Sequence, residues 1–339
     1  MSSVICSVIS SGIDKTIEIL LIGKYNLKQK LIIGSRGSEL ALWQAKFIKR
    51  ELEKAHKHIT VEIKLIKTKG DKILDVALSK IGDKGLFTKE LEVALLNREV
   101  DIAVHSLKDL QTEIPAGLKL AAVTKRHDVE DVLIARKKGT TIWNLKEGAV
   151  VATGSLRRRS QLLHLRPDIN IVELRGNVPT RIQKFLESKW DAIILARAGV
   201  ERLGLKKHIS SFINKEEMLP AVGQGALGIE IHKDNIFAEE LLQALHHEAT
   251  YQAVLAERAL LKELEGGCQV PIGAFAEVKS NGLYLDAIVG SIDGSLTFRK
   301  KVKGTKRLPE KLGKSLAKDL LKAGAKQILE EVYHSVRLK

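Results

Sequence analysis

Cysteine is nearly absent from this chain of 339 residues: there are two, Cys6 and Cys268. That count excludes a disulfide framework and a metal site built from four thiolates. Aromatic residues make up 4% of the chain, too few for the stacking platforms on which nucleic-acid binders rely. No apolar run approaches the roughly 20 residues of a membrane span. The histidines, the His246-His247 pair included, lack the i, i+3 or i+4 spacing of helical metal ligands, so no metal is expected. The first 28 residues contain no Arg and no basic start, which suits neither a secretion signal nor a transit peptide. A weakly ordered extension on a cytoplasmic protein is the expectation.

What the chain has is positive charge. Its formal net charge is +15, which suggests an anionic partner. Much of the surplus is C-terminal: residues 299–339 hold 13 Lys and Arg against 4 Asp and Glu. Lysine-rich helices are commonly solvated faces, and without stacking residues the excess does not indicate nucleic acid.

Length alone predicts two or three domains with ample core. An apolar strand at Leu31-Ile32-Ile33-Gly34-Ser35 enters Arg36-Gly37-Ser38, where Ser38 is a good helix N-cap. Behind it Leu40, Trp43, Phe47, Ile48 and Leu52 recur at helical spacing. A strand over 61–66, a Gly/Lys-rich stretch, a helix over 88–97 and a strand over 101–104 then lead into His105-Ser106-Leu107-Lys108-Asp109. The plan repeats from residue 149, where a strand runs into Gly154-Ser155-Leu156-Arg157-Arg158. A strand over 171–174 opens onto Arg175-Gly176-Asn177, and another over 190–195 follows.

Gly223-Gln224-Gly225-Ala226-Leu227-Gly228 matches the dinucleotide fingerprint literally. The segment after it is strand-like rather than helical, so it reads as a hinge back to the first domain. The remainder suggests a helix over 250–264, three strands turning at Asn281-Gly282 and Asp293-Gly294, and one long last helix. That helix has Leu312, Leu316, Leu320, Ile328 and Val332 as its stripe. The expected division is an extension 1–28, a discontinuous first domain 29–124 with 225–245, a second domain 125–224, and a C-terminal domain 246–339.

Arg36, Arg157, Arg158, Arg175, Arg181 and Arg202 fall at predicted helix starts or strand ends. Arginine's fork suits carboxylate or phosphate, and helix N-termini add unpaired N–H groups. Their recurrence in equivalent turns points to a ligand with several acidic groups, while surface ion pairs account for some equally well. Lys80 and Lys84 lie in a Gly-punctuated loop, either a cover for the cleft or a solvated loop. Two readings stand for Asp109: a carboxylate that stabilises developing positive charge or moves protons, or a structural partner for an arginine. Cys268, behind two glycines, is either a small buried hydrophobe or an accessible nucleophile.

Together, Arg36-Gly37-Ser38, Lys84-Gly85-Leu86-Phe87-Thr88-Lys89-Glu90-Leu91-Glu92, His105-Ser106-Leu107-Lys108-Asp109, Ser155-Leu156-Arg157-Arg158, Glu173-Leu174-Arg175-Gly176-Asn177 and Gly266-Gly267-Cys268-Gln269-Val270-Pro271 carry a resemblance. From about Lys30 onward the chain resembles the porphobilinogen deaminase, or hydroxymethylbilane synthase, family. It departs at Gln111 and Val129, where that family commonly has Pro, and at Gly154, where it usually has a hydroxyl residue.

The resemblance implies two similar α/β domains around a cleft, type II periplasmic-binding-protein-like, plus a small α+β C-terminal domain with a three-stranded sheet. It implies a monomeric enzyme of tetrapyrrole biosynthesis that joins four porphobilinogen molecules into hydroxymethylbilane and releases ammonia. A dipyrromethane cofactor, thioether-linked at Cys268, would prime the chain. Ser38, Ser106, Lys108, Ser155, Arg157, Arg158 and Asn177 would contact it, and Arg36, Arg175, Arg181, Arg202, Lys80 and Lys84 would hold substrate. Asp109 would contact pyrrole N–H groups and stabilise a cationic azafulvene. The competing expectation is a non-enzymatic two-domain binder of a polyanionic small molecule.

Overall fold

The computed structural model describes residues 29–68, 70, 85–264 and 270–337. Lys80, Lys84, Cys268 and the extension 1–28 lie outside them. The first sheet holds β1 (Gln29–Ser35), β2 (Ile59–Leu65), β3 (Ile102–Ser106), β4 (Leu118–Val123) and β10 (Leu227–His232), in the order β2-β1-β3-β10-β4. The second holds β5 (Asp131–Ala135), β6 (Val150–Ala152), β7 (Asn170–Val172), β8 (Ala192–Ala196) and β9 (Ser211–Ile213), ordered β7-β6-β8-β5-β9. In each sheet the first three strands are parallel and the fourth is antiparallel to its neighbours.

The antiparallel strand is in both cases the one that arrives from the other sheet. The chain leaves β4 through residues 124–130 to begin β5, and leaves β9 through residues 214–226 to begin β10. Central strands such as Ala192–Ala196 are continuous apolar runs because helices cover both faces. Helix Glu39–Ala55 turns Ala45, Ile48 and Leu52 into the first core, while Trp43 and Phe47 stack on each other 5.4 Å apart. The glycine-rich stretch near 225 is a turn into β10 and not the start of a helix, as its sequence context suggests. A Cβ on Gly225, which sits at φ +88°, would come within 2.6 Å of His127 O. The two crossing segments touch there.

The third unit packs helices Glu248–Glu263 and Pro309–Leu320 on one antiparallel sheet, β11 (Ile272–Lys279), β12 (Gly282–Gly290) and β13 (Thr297–Gly304). Its core includes Leu260, Leu264, Val270, Leu285, Leu316 and Ile328. Both hairpin expectations need adjustment. Lys279 pairs with Gly282, so the first turn is Ser280-Asn281. The second is a longer loop over 291–296, closed by Ser291 N donating to Leu296 O at 2.8 Å. The last helix is also not continuous. It breaks after Leu320 and resumes as Lys326–Arg337, because Gly324 adopts φ +119° beneath Phe298, 2.7 Å from where a Cβ would stand.

Candidate active site

The carboxyl ends of parallel strands in an α/β sheet leave backbone groups unpaired and helix N-termini exposed, which makes them the natural binding edge. Here the carboxyl ends of β1 and β3 carry Arg36, Ser38, Ser106, Lys108 and Asp109. Those of β6, β7 and β8 carry Ser155, Arg157, Arg158, Arg175, Asn177 and Arg202. Two adjacent cavities lie at this edge, one between the two sheets and one within the first unit. One is bordered by Ser106, Lys108, Arg158, Arg181, Arg202 and Gln224. The other is bordered by Arg36, Ser38, Gln44, Phe87, Ser106 and Asp109, and Leu40 and Ser106 belong to both.

The first cavity is electrostatically loaded. Burial pushes the Lys108 amine down to about 8, against the pull of Asp109. Burial, reinforced by Arg158 and Arg175, pushes Arg181 down to about 10, and burial alone does the same to Arg202. Both arginines still carry their protons at neutral pH. Partly desolvated cations this close together favour an anionic occupant. Their geometry is held from behind: Arg181 Nε donates to Gly176 O at 2.7 Å, and Arg202 Nη2 to Gly225 O at 2.8 Å. Arg202 also lies over the Trp43 ring, 5.6 Å from its centroid. In the second cavity Arg36 stacks 4.2 Å over Phe87, and Gln44 Nε2 donates to Ser106 Oγ at 2.7 Å. Asp109 is exposed at the mouth.

Arg157 and Arg158 share one carboxylate. Asp131, fully buried, accepts from Arg158 Nη2 at 2.8 Å and lies 2.9 Å from Arg157 Nη1. Burial raises its pKa, but the two guanidiniums prevail and hold the carboxyl far below the ordinary range. Arg157 Nη1 also donates to Leu219 O at 2.7 Å, and Arg158 Nη1 to Ile194 O at 3.0 Å. Of the pair, Arg158 borders the cavity and Arg157 borders neither one. Sequence reading missed Asp131. The available signal was a lone acid at the head of an otherwise apolar strand.

Ser38, Ser155 and Asn177 are helix N-caps, accepting from Ala41 N at 3.4 Å, Arg158 N at 3.4 Å and Thr180 N at 2.9 Å. Of these helix starts, Ser38 and Val178 border the cavities while Ser155 and Asn177 border neither; an anion at such an end gains from the unpaired N–H groups. Among the described residues Arg175 Nε is buried without a hydrogen-bond partner, and Arg175 borders neither cavity. Gly154 has a steric reason: a Cβ there would stand 2.7 Å from Leu174 O.

Sequence reading also missed the groups beneath and behind the site. His105 Nε2 lies 3.0 Å from Glu230 Oε2, both buried, at ion-pair distance but without hydrogen-bond alignment. Burial raises the nearby Glu92, with Glu230 adding to the effect. Glu257, from the third unit, binds Arg126 of one crossing through both oxygens and accepts from Gly223 N of the other at 2.7 Å. Arg126 Nε in turn donates to Gln224 O at 2.8 Å.

Among known proteins, the family model "Porphobilinogen deaminase, dipyromethane cofactor binding domain" matches residues 31–240, and "Porphobilinogen deaminase, C-terminal domain" matches 251–322. A curated porphobilinogen deaminase of Carboxydothermus hydrogenoformans is 53% identical over 306 residues, covering 90% of this chain and 98% of that one. One of Chloroherpeton thalassium is 50% identical over 310 residues, again covering 90% and 98%. A solved structure of the Bordetella pertussis BvgS VFT2 domain is far more distant, at 11% identity and TM-score 0.40 over 72% of this chain and 96% of that one.

Proposed function

The chain belongs to the porphobilinogen deaminase family, and from that membership we propose its function. It is a transferase of tetrapyrrole biosynthesis that joins four porphobilinogen molecules head to tail into hydroxymethylbilane, releasing ammonia at each addition. The observation that carries this reading is the pair of adjoining cavities. One sets Lys108, Arg158, Arg181 and Arg202 around the same space as Gln224, and the other sets Arg36 with the carboxylate of Asp109. A pyrrole with acetate and propionate arms needs both kinds of group.

The residues present fit a dipyrromethane. Lys108 and Arg158 border one cavity, and Gln224 Oε1 is a buried acceptor left without a donor among the described residues. When bound, that group supplies a covalent tether and a free α-carbon as nucleophile. Cys268 is its proposed anchor; the described flanks of that segment, Leu264 and Val270, are both buried in the third core. Ser38, Ser106, Lys108, Ser155, Arg158 and Asn177 hold its carboxylates through charge and N-terminal N–H groups, with Arg157 acting through the shared Asp131.

Arg36, Arg175, Arg181 and Arg202, with Lys80 and Lys84, hold the arms of incoming porphobilinogen. Asp109 offsets the positive charge that appears on the ring as ammonia leaves, a task the surrounding cations oppose. It also takes the proton lost from the attacking α-carbon. No helix among the described residues is long and apolar enough to cross a membrane. A cytoplasmic monomer without nucleic-acid partners completes the reading. The test is ammonia release: porphobilinogen added to the purified protein should yield ammonia and a linear tetrapyrrole, whereas a binding protein would release neither.

A further inference from the structure

We propose that Arg258, on the third unit's helix Glu248–Glu263, is the residue that positions Asp109. The inference rests on the reading of Asp109 given above and adds to it the group that holds that carboxylate in place. Asp109 ends a single helical turn, Leu107–Asp109, which Leu110 N closes by donating to Leu107 O at 3.2 Å. Arg258 is buried, and its two terminal nitrogens donate to the next two carbonyls of the chain: Nη1 to Leu110 O at 3.1 Å, and Nη2 to Gln111 O. A guanidinium fork can span two successive carbonyls, and charge-assisted hydrogen bonds are roughly twice as strong as neutral ones.

The rest of that helix face reaches the same segment. Val254 packs with Leu107 and Leu110 in one small buried cluster, and Tyr251 lies against it. Lys262 Nζ stands 3.1 Å from Glu113 Oε1. Tyr251, Val254, Arg258 and Lys262 follow one another at helical spacing, so one stripe of the helix runs along residues 107–113. The apolar members of the stripe fix the two leucines. The Lys262 pair is exposed and contributes little. Arg258 supplies the polar hold, on the backbone just beyond the carboxylate. Asp109 itself is exposed at the mouth of its cavity, so the backbone on either side determines where its charge stands. Reacting groups tolerate little displacement: about 1 Å can cost about 10²-fold in rate.

The test is single-turnover ammonia release from purified holoenzyme over a range of porphobilinogen concentrations, with intact mass after denaturation reporting cofactor loading. Arg258→Met should lower the saturating rate at least about tenfold and leave the half-saturating concentration within about threefold of wild type. Arg258→Lys, which can reach one carbonyl but not both, should fall between Met and wild type. The same substitution is then made in Asp109→Ala. If Arg258 acts through the carboxylate, Arg258→Met should cost the Asp109→Ala protein less than about threefold, because coupled groups are not additive. A wild-type rate in Arg258→Met, or the full loss in both backgrounds, overturns the proposal. If Arg258→Met does not fold, Arg258→Lys in the two backgrounds decides by the same comparison. An Asp109→Ala protein within about tenfold of wild type would instead defeat the catalytic reading of Asp109 on which the inference stands.

Discussion

Arg158 Nη2 stands 2.8 Å from Asp131 Oδ1, with both side chains withdrawn from solvent. A buried pair of this kind is weak support for stability as a unit, but breaking it leaves an uncompensated charge and costs about 3–5 kcal/mol. Asp131→Ala abandons two arginines at once and should lie at the upper end of that range by urea denaturation. Because the folded pKa of Asp131 is depressed, its contribution is present above the unfolded value near 3.9 and is lost as pH falls through the lower folded value. An acid-unfolding curve for Asp131→Asn should lack that loss. If wild type and Asp131→Asn respond identically to acid, the pair does not act as described.

Asp109 is exposed, so its replacement leaves the fold intact. Asp109→Ala should bind pyrrole carboxylates normally yet slow single-turnover ammonia release by at least about 10²-fold, the usual effect of losing a positioned electrostatic or proton-transfer group. Asp109→Glu should retain more activity than Ala. A variant within about tenfold of wild type would place the catalytic carboxylate elsewhere.

Lys108 should impose an alkaline limit on binding. Its amine is pushed down to about 8 by burial, so raising the pH through 8 removes a cation from the cavity and weakens acidic ligands. Stability should move the other way. The unfolded chain retains the proton up to about 10.5, so between these values it binds more protons than the folded chain, and stability rises with pH. Lys108→Arg should bind the pyrrole diacid as well at about pH 8.5 as at about pH 7, below the range in which Arg181 and Arg202 begin to lose their protons. A wild-type affinity that is flat over that range would refute the assignment.

Cys268 is expected to be permanently alkylated. Denatured protein from a host that makes porphobilinogen should be heavier than its sequence by two pyrrole units, and Cys268→Ser should lose the added mass and the activity together. An unmodified cysteine in fully active protein would end the idea.

General basicity should matter little beside placed arginines. Lys322 and Lys326 are exposed, and the Lys326–Glu330 contact is a 3.7 Å surface pair of a kind that contributes about 0–1 kcal/mol. Replacing both with Ala should leave turnover unchanged, whereas Arg158→Leu should cripple it. Equal effects in a steady-state assay would count against a specific site.

Local chemistry was the legible part of the sequence. Ser38 announces its helix because capping involves groups three residues apart. The strand-turn-arginine repeats likewise revealed two similar sheets with their binding edges together. What stayed hidden depends on partners distant in the chain. Nothing near Asp131 indicates that Arg157 and Arg158 will converge on it, so which arginine borders the cavity and which braces it from behind could not be read. The break at Gly324 depends on Phe298, and the helical stripe continues across it as though no ring were there.

Glu257 gives the third unit an influence beyond its own core. One carboxylate engages Arg126 from the outgoing crossing, Gly223 N from the returning one and Ala276 N of β11 at 2.7 Å, while Ala274 N donates to Pro220 O at 3.0 Å. The separation between the two sheets is thus referred to a group that belongs to neither. Loss of the Glu257 carboxylate would therefore deprive Arg126, Gly223 N and Ala276 N of their shared partner at once, and with it both crossings of their common anchor on the C-terminal unit.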